Sequence, residues 1–508
     1  MKQNSAIRIS RIKIENFKNV ELGEIKISRD SSLFNQEKAS SIIALYGQNG
    51  SGKTALINAL AVLKYCLSGK AIPNEYFDQI SIGKEQSRLE FEFELYLDQS
   101  PYNVAYGFDL VRKDTDMEEN IIRERDLVYN DSNITPSYFN NENYINNILH
   151  STNKSRQSIE NELLSISGGS FKRKQDIIKV NSDLNSYLDN FIPFEPKTRY
   201  ASMIPSKMRG LLLNSLLDSI KARKSFIFSS LIMFKLTNEE LSKEEIQQNL
   251  EIVNIMQKLA VFGHSKLCVR DNSNLQKTKI SIQTGYIRTL KPGSIYPNSY
   301  DIDLNKPTTV PEEVFYILQD VASAMNIVLQ QIIPGLTMEF KQIDKEFAEN
   351  DKIQIRLQPV IIRKGIPIPL RDESEGIKKI ISVLHILITA YNDQSTTFAV
   401  DELDSGIFEF LLGEILDLFE SFGKGQLIFT SHNLRPLEVL NKKNIYFTTT
   451  NPKKRYIQMS NIETNHNLRL NYYRSIQLGG QKEELYDETD HIEIARAFRN
   501  AWWQNDKK

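Results

Sequence analysis

The chain contains 508 residues, which is enough for about two to four domains. Its 63 lysine and arginine residues nearly balance its 64 aspartate and glutamate residues, so the overall charge predicts no nucleic-acid partner, and any such site has to be a local patch. Two cysteines exclude a disulfide framework and a cysteine-based metal cluster. No apolar run reaches about 18 residues, the length of a membrane span, and residues 1–10 lack the apolar region of a signal peptide. We therefore expect a cytoplasmic protein without membrane contact.

Residues 5–130 predict a β-rich lobe. Residues 7–16 alternate apolar and charged side chains, residues 88–97 alternate strictly, and residues 103–111 and 121–128 continue the pattern.

Residues 41–60 contain the most informative stretch of this lobe. An apolar run at residues 42–45 predicts a buried strand, a helix is predicted from residue 55, and the residues between them, GQNGSGKT at 47–54, fit the pattern G-x-x-x-x-G-K-[ST]. Its glycines allow backbone N–H groups to point at phosphate oxygens, Lys53 neutralises the β- and γ-phosphates, and the Thr54 hydroxyl is placed to bind Mg²⁺. A chance glycine-rich turn is the alternative, and the flanking strand and helix argue against it. The stretch predicts a nucleoside triphosphate site.

The middle of the chain has a different composition. Residues 130–155 are rich in asparagine, which predicts a surface loop or lid, and residues 156–265 have helical periodicity. A helical insertion is one interpretation, and an arm that contacts DNA or a partner is the other. The second rests on the basic side chains of Lys172, Arg173, Lys174, Lys207, Arg209, Lys221, Arg223 and Lys224.

The second half of the chain supplies a pair of carboxylates at the end of a strand. Residues 396–400 predict an apolar strand that ends in Asp401 and Glu402. Asp401 would hold Mg²⁺ through water, and Glu402 would orient the attacking water. His432 follows the next predicted strand, at residues 427–429, from which it could reach the γ-phosphate.

Residues 374–376, Ser-Glu-Gly, open a predicted helix 25 residues before the carboxylate pair. A helix N-terminus binds anions, and one triphosphate does not need two such ends from one chain. In a dimer, this second end can close over the nucleotide of the partner. A simple N-cap at Ser374 is the alternative.

The order of these motifs resembles that of the ABC-type ATPases of the SMC, RecF and OLD branch. The runs IPLRDESEG, VDELDSG and FTSHN look most like the OLD-like and abortive-infection AAA family ATPases of bacterial anti-phage systems. The resemblance covers residues 5–130 and 311–435. It implies an α/β P-loop NTPase fold, in which both chain ends form an ABC-type head around a largely helical insertion.

The resemblance also implies roles for individual residues, with ATP and Mg²⁺ as cofactors. Lys53, Glu402 and His432 would be catalytic, and Thr54 and Asp401 would bind the metal. The nucleotide-binding residues would be Gly47, Asn49, Gly50, Ser51, Gly52, Lys53, Thr54, Lys18, Asp404 and, in trans, Ser374 and Gly376. The usual family segment is Leu-Ser-Gly-Gly-Gln, and here Glu375 replaces the first glycine. A carboxylate near a γ-phosphate is repulsive unless it turns outward.

These patterns predict four segments and leave three functions open. The segments are the first half of the head (1–130), the insertion (131–310), the second half of the head (311–450) and a structural or oligomer-forming tail (451–508). The favoured function is a sensor ATPase of an anti-phage system that gates a separate nuclease or toxin. The alternatives are a RecF- or SMC-like DNA-binding ATPase in repair and an OLD-type nuclease, although the tail shows no strand-and-carboxylate metal pattern. We expect a homodimer or higher homo-oligomer with ATP between the heads.

Overall fold

The structure is a computed structural model that describes residues 5–27, 40–97, 100–112, 121–131, 222–225, 228, 254–271, 279–283, 299–347, 353–459, 468–478, 483–486 and 490–505. In chain order, the strands of these residues are β1 (Ser5–Phe17), β2 (Val20–Lys26), β3 (Ser41–Tyr46), β4 (Gln86–Leu97), β5 (Ser100–Val111), β6 (Ile121–Asp131), β7 (Leu267–Arg270), β8 (Lys279–Gln283), β9 (Ser299–Asp303), β10 (Thr308–Pro311), β11 (Leu336–Phe347), β12 (Ile353–Arg363), β13 (Ile366–Pro369), β14 (Thr397–Val400), β15 (Gln426–Thr430), β16 (Ile445–Thr448) and β17 (Tyr456–Ile457). The helices are α1 (Lys53–Leu67), α2 (Asn74–Phe77), α3 (Glu312–Ile332), α4 (Glu375–Asn392), α5 (Glu409–Phe422), α6 (Pro436–Val439), α7 (Leu468–Leu478) and α8 (His491–Asn505). A helical stretch at residues 254–261 continues into a π-helical turn at Phe262–Lys266.

A six-stranded sheet forms the centre of the molecule, with the order β17-β16-β3-β15-β14-β7. Its strands are parallel except for β17, which pairs antiparallel with β16 at one edge. The strand before the phosphate loop, β3, therefore lies between two strands from the far end of the chain. Because the C-terminal ends of parallel strands meet at one edge, the loops after β3, β14 and β15 come together, where open α/β sheets bind ligands.

Strand β7 lies within the segment predicted as an insertion, residues 131–310. It pairs in parallel with β14, so this segment supplies one strand to the central sheet. Most of the segment, including its basic residues from 172 to 221, lies outside the described residues. Within the described part, Arg223 donates from Nε to the carbonyl oxygen of Ile72 at 3.2 Å.

Helix α1 is buried between two sheets, and this explains its apolar character around the whole circumference. On one side lies the five-stranded antiparallel sheet β2-β1-β4-β5-β6, which is the predicted β-rich lobe. On the other side lies the central sheet. The shared core includes Ile14, Phe91, Leu60, Ile43 and Ile428. This packing holds the N-terminal end of α1, and with it the phosphate loop, at the sheet edge.

The opposite face of the central sheet packs against α3, α4 and α5. Alternate residues of β3 divide between the two cores: Ile43 and Leu45 face α1, whereas Ile42 and Ala44 face the other side. A continuous apolar strand is typical of a parallel sheet that is covered on both faces. The predicted α/β fold with a P-loop is confirmed. In the part of the chain that the structure describes, no helix is both long and apolar enough to cross a membrane.

Candidate nucleotide site

The phosphate loop, residues 47–54, connects β3 to α1 and requires glycine at particular positions. Gly52 has a φ of 98° directly before the first residue of α1, a conformation that side chains with a Cβ rarely adopt. At Gly47, a Cβ would collide with the hydroxyl of Thr448. The loop can therefore curl with its backbone close to a ligand, as the sequence predicts.

Lys53 lies under this loop and points back into it. Its Nζ donates to the carbonyl oxygens of Gly47 at 2.7 Å and Gln48 at 2.9 Å. Burial lowers the pKa of Lys53. Nearby carboxylates oppose this shift, namely those of Asp401, Glu402 and Asp404. The structure thus brings the loop lysine and the strand-end carboxylates into one electrostatic site.

Residues from the end of the head support the loop from behind. The Ser51 hydroxyl donates to the Gln48 carbonyl at 2.6 Å and lies 2.5 Å from the hydroxyl of Thr448, at the end of β16. The Tyr456 hydroxyl, from β17, donates to the Gly52 carbonyl at 2.8 Å. Sequence reasoning missed both of these supporting residues, because short strands so far from the loop carry no motif of their own. The beginning of the predicted tail therefore completes the central sheet and braces the phosphate loop.

Asp401 and Glu402 follow β14, and Thr430 at the end of β15 fixes both. Its hydroxyl donates to Asp401 Oδ1 at 2.5 Å and accepts the backbone N–H of Glu402 at 2.7 Å. Asp401 also donates its backbone N–H to the carbonyl of Arg270 at 2.9 Å. Glu402 has a φ of 49°, a left-handed conformation that is costly for a residue with a side chain and that clusters at functional sites.

Asp404 connects the carboxylate loop, residues 401–406, to the segment that carries His432. Its Oδ2 accepts the backbone N–H groups of His432 at 3.0 Å and Asn433 at 2.9 Å. The side chain of His432 is exposed. The predicted histidine therefore lies at the edge of the site, and Asp404 fixes its backbone by accepting its N–H.

Lys18 also reaches the site. It lies in the turn between β1 and β2 with a φ of 53°, and its backbone N–H donates to the Gln79 carbonyl at 2.5 Å. Burial lowers the pKa of Lys18, while the charges of Asp401 and Asp271 oppose the shift. At the level of sequence, only the resemblance to the ABC-type ATPases suggested Lys18 as a nucleotide-binding residue.

Residues 374–376 form the start of α4. The Ser374 hydroxyl caps the helix by accepting the backbone N–H of Ile377 at 3.4 Å. The Glu375 side chain is 83% exposed and pairs with Lys378 at 2.9 Å, so the unusual carboxylate turns outward. Gly376 packs against the backbone of Gly406, where a Cβ would collide with the Gly406 carbonyl oxygen.

Two charged residues at the end of β7 join the site and were missed. Arg270 and Asp271 are both buried, and the Tyr76 hydroxyl donates to Asp271 Oδ2 at 2.9 Å. The signal was present in the run LCVRD, an apolar strand that ends in charged residues, as β14 does. The sequence does not show that β7 pairs in parallel with β14, so it could not place this run in the central sheet.

The residues present fit a triphosphate with Mg²⁺. Asp401 Oδ2 is buried and accepts no hydrogen bond from the described residues, so it is available to a ligand. Thr54 is partly exposed at the start of α1. Mg²⁺ is commonly held by one or two protein oxygens together with phosphates and water, a set that Thr54 and Asp401 would complete.

Comparison with solved structures gives distant similarities. The chain is 13% identical to a Pyrococcus furiosus Smc head domain bound to the C-terminal domain of ScpA, with 89% of this chain and 96% of that chain covered and a TM-score of 0.36. The chain is also 13% identical to an SMC head domain from Thermotoga maritima, with 89% of this chain and 99% of that chain covered and a TM-score of 0.35. It is 11% identical to the recombination mediator protein RecF with ATP, with 84% of this chain and 94% of that chain covered and a TM-score of 0.32. No protein of curated function matches the chain.

A family comparison is more specific. Residues 42–438 match the family described as "AAA domain, putative AbiEii toxin, Type IV TA system". The match begins at the strand before the phosphate loop and includes the carboxylate loop and His432. Because it spans more than half of the chain, the protein belongs to this AAA-domain family.

Proposed function

We propose that the protein binds ATP with Mg²⁺ at the phosphate loop and hydrolyses it. The observation that carries this proposal is the meeting of Lys53 with Asp401 and Glu402 at one sheet edge, with Thr430 fixing both carboxylates. A site that only bound a nucleotide would not need a second carboxylate in a strained backbone conformation.

Each residue of the site has a separate role in this proposal. The backbone of residues 47–54 and Lys53 hold the phosphates, and Thr54 and Asp401 hold Mg²⁺, which neutralises charge on the phosphate oxygens. Glu402 orients the attacking water. His432 contacts the γ-phosphate from the edge of the site and responds to its loss.

The active form in this proposal is a dimer of heads or a higher homo-oligomer. Ser374 and Gly376 of one protomer close over the nucleotide of the other, and the pairing of Glu375 with Lys378 offsets the negative charge beside them. We also propose that both chain ends form the head, that residues 131–310 apart from β7 and the start of β10, which pairs with β12, form an insertion, and that α8 is an oligomer contact. The described side chains at residues 492–499 of α8 are all exposed.

The proposed output is control of a separate effector, a nuclease or toxin, in an anti-phage system. Closure and opening of the heads would bias two states of the complex and so hold or release that effector. The support for this finer assignment is the sequence resemblance together with the family match.

A DNA-binding role like that of RecF is the second candidate, and one observation favours it. A cavity of about 610 Å³ lies between the edge strands β2 and β17. Among its described lining residues, Glu24 is the one acid, and the bases are Lys26, Lys443, Lys453, Lys454 and Arg455. Such a cavity suits phosphate groups.

The experiment that tests the ATPase proposal uses Glu402→Gln. The variant should bind ATP as the wild type does, hydrolyse it at least about a hundredfold more slowly, and accumulate as an ATP-bound dimer in size-exclusion chromatography. Unchanged turnover would remove Glu402 from the proposed mechanism. A pull-down of this variant from its host with ATP then separates the outputs: a stoichiometric nuclease or toxin supports the sensor, and DNA that salt releases supports the second candidate.

A further inference from the structure

Helix α4 carries two adjacent lysines with different surroundings. Lys378 donates from Nζ to the exposed carboxylate of Glu375 at 2.9 Å. The Nζ of Lys379 is buried and has no hydrogen-bond partner among the residues that the structure describes. A buried ammonium without a partner is unfavourable, so packing alone does not account for lysine at this position.

The charges around Lys379 belong to the nucleotide site. Burial and the nearby Arg270 lower its pKa to about 8, and three carboxylates oppose this shift, those of Glu402, Asp404 and Asp401. These three acids are the charged side chains of the carboxylate loop. Lys379 is therefore a fourth cation at the site, and it comes from the helix that begins with Ser374.

A second contact joins the same helix to the same loop. Gly376 lies three residues before Lys379, which puts the two on neighbouring positions of one helix face. A Cβ at Gly376 would lie 2.3 Å from the carbonyl oxygen of Gly406, which is a collision, and a Cβ at Gly406 would lie in tight contact, 3.1 Å from the Cα of Gly376. Gly406 also has a φ of 75°, which favours glycine. The first turn of α4 is thus in backbone contact with Gly406, at the end of the carboxylate loop. Its second turn carries Lys379, whose positive charge interacts with the carboxylates of that loop.

We propose that Lys379 is a positioning residue, which places the carboxylate loop and thereby links helix α4 to Glu402 of the same protomer. The inference rests on the proposed ATPase activity and goes beyond it. In the proposed dimer, Ser374 and Gly376 contact the nucleotide of the partner. A shift of α4 on dimer closure would move Lys379 and Gly406 together, and the loop that carries Glu402 would follow. Each head would then report the occupation of the opposite site to its own catalytic carboxylate.

The test compares Lys379→Met with Lys379→Arg and with the control Lys378→Met. Met keeps the length of the side chain and removes the charge, so the variant should fold with a melting temperature no lower than that of the wild type. We expect kcat for ATP to fall by roughly ten- to a hundredfold, because small misplacements of catalytic groups cost rates of this order. Binding of a non-hydrolysable ATP analogue with Mg²⁺ should stay within about twofold, Lys379→Arg should recover much of kcat, and Lys378→Met should behave as the wild type.

Each outcome bears on the inference. A normal kcat in Lys379→Met, an equal loss in Lys378→Met, or a loss of analogue binding as large as the loss of kcat would overturn it while wild-type turnover still supports the ATPase. If Lys379→Met does not fold, Lys379→Gln takes its place with the same expectations. If the wild type itself hydrolyses no ATP, the proposed function and this inference both fail.

Discussion

The hydroxyl of Thr430 donates to the carboxylate of Asp401, with 2.5 Å between Oγ1 and Oδ1, although the two residues end different strands of the central sheet. The same hydroxyl accepts the backbone N–H of Glu402. One side chain on β15 therefore sets both the rotamer of Asp401 and the backbone of Glu402.

Replacement of Thr430 by valine should affect turnover more than stability. Valine has the same shape but cannot hold Asp401 or Glu402, so we expect kcat to fall at least about tenfold and the free energy of unfolding to fall by about 1–2 kcal/mol. Thr389→Val is the control, because the Thr389 hydroxyl donates to the carbonyl of His385 within α4 and, among the described residues, holds no group of the site. ATPase assays and urea unfolding measure the two effects. A normal kcat in Thr430→Val would show that Asp401 and Glu402 keep their geometry without it.

Lys53→Met should abolish ATP binding. The side chain retains its length but loses the charge that faces the phosphates, and the Gly47 and Gln48 carbonyls lose their donor. Isothermal titration with Mg²⁺ and ATP should show no binding at concentrations that saturate the wild type. Lys64→Met, in the last turn of the same helix, should bind normally. Retained affinity in Lys53→Met would contradict the assignment of the phosphate site.

Tyr456→Phe should weaken ATP binding by about two- to tenfold, because a hydrogen bond to the Gly52 carbonyl contributes about 0.5–1.5 kcal/mol. Tyr446→Phe is a matched control. Both tyrosines are 6% exposed, and the Tyr446 hydroxyl donates to the backbone carbonyl of Lys26, not to the phosphate loop. Equal affinities for the two variants would mean that β17 does not influence the phosphate loop.

His385 should make the protein less stable in mild acid. Burial lowers its pKa to about 4, with a contribution from the nearby Arg270, so the folded protein keeps the imidazole neutral. The unfolded chain binds the proton near pH 6.5, so this stability is complete above pH 6.5 and is lost as the pH falls towards 4. Between pH 7 and pH 5 the loss should be about 2 kcal/mol. In His385→Gln, denaturant unfolding should show a fall over this range that is smaller by that amount, whereas an identical fall would show that His385 is charged in the folded state.

Local patterns in the sequence predicted the parts of the site that depend on neighbouring residues. The loop at residues 47–54 has its strand and helix on either side, and Asp401 and Glu402 come directly after their own apolar strand. The helix from Ser374 was also predicted, because its N-cap and apolar periodicity are local. These features needed no knowledge of what lies next to them in space.

The residues that the sequence did not reveal act through partners far along the chain. Thr448 supports Ser51 across 397 residues, and Tyr456 reaches Gly52 across 404. Lys379 has a lysine on one side and an apolar face on the other, so nothing in its neighbourhood distinguishes it from Lys378 until the carboxylate loop is placed beside α4. Hydrophobic periodicity predicts which face of the helix is buried, and it does not say that Lys379 lies near the charges of the carboxylate loop.

The position of β3 has a consequence for synthesis of the protein. Ser41 lies opposite Gln426, and β16 pairs with the other edge of β3. A ribosome that adds about 5–20 residues each second needs roughly 20–80 seconds to make the 385 residues between Ser41 and Gln426. During this interval the nascent strand stays unpaired and apolar, which predicts a need for chaperones. Chains truncated before β15 should fail to retain ATP, so nucleotide binding would mark a completed head.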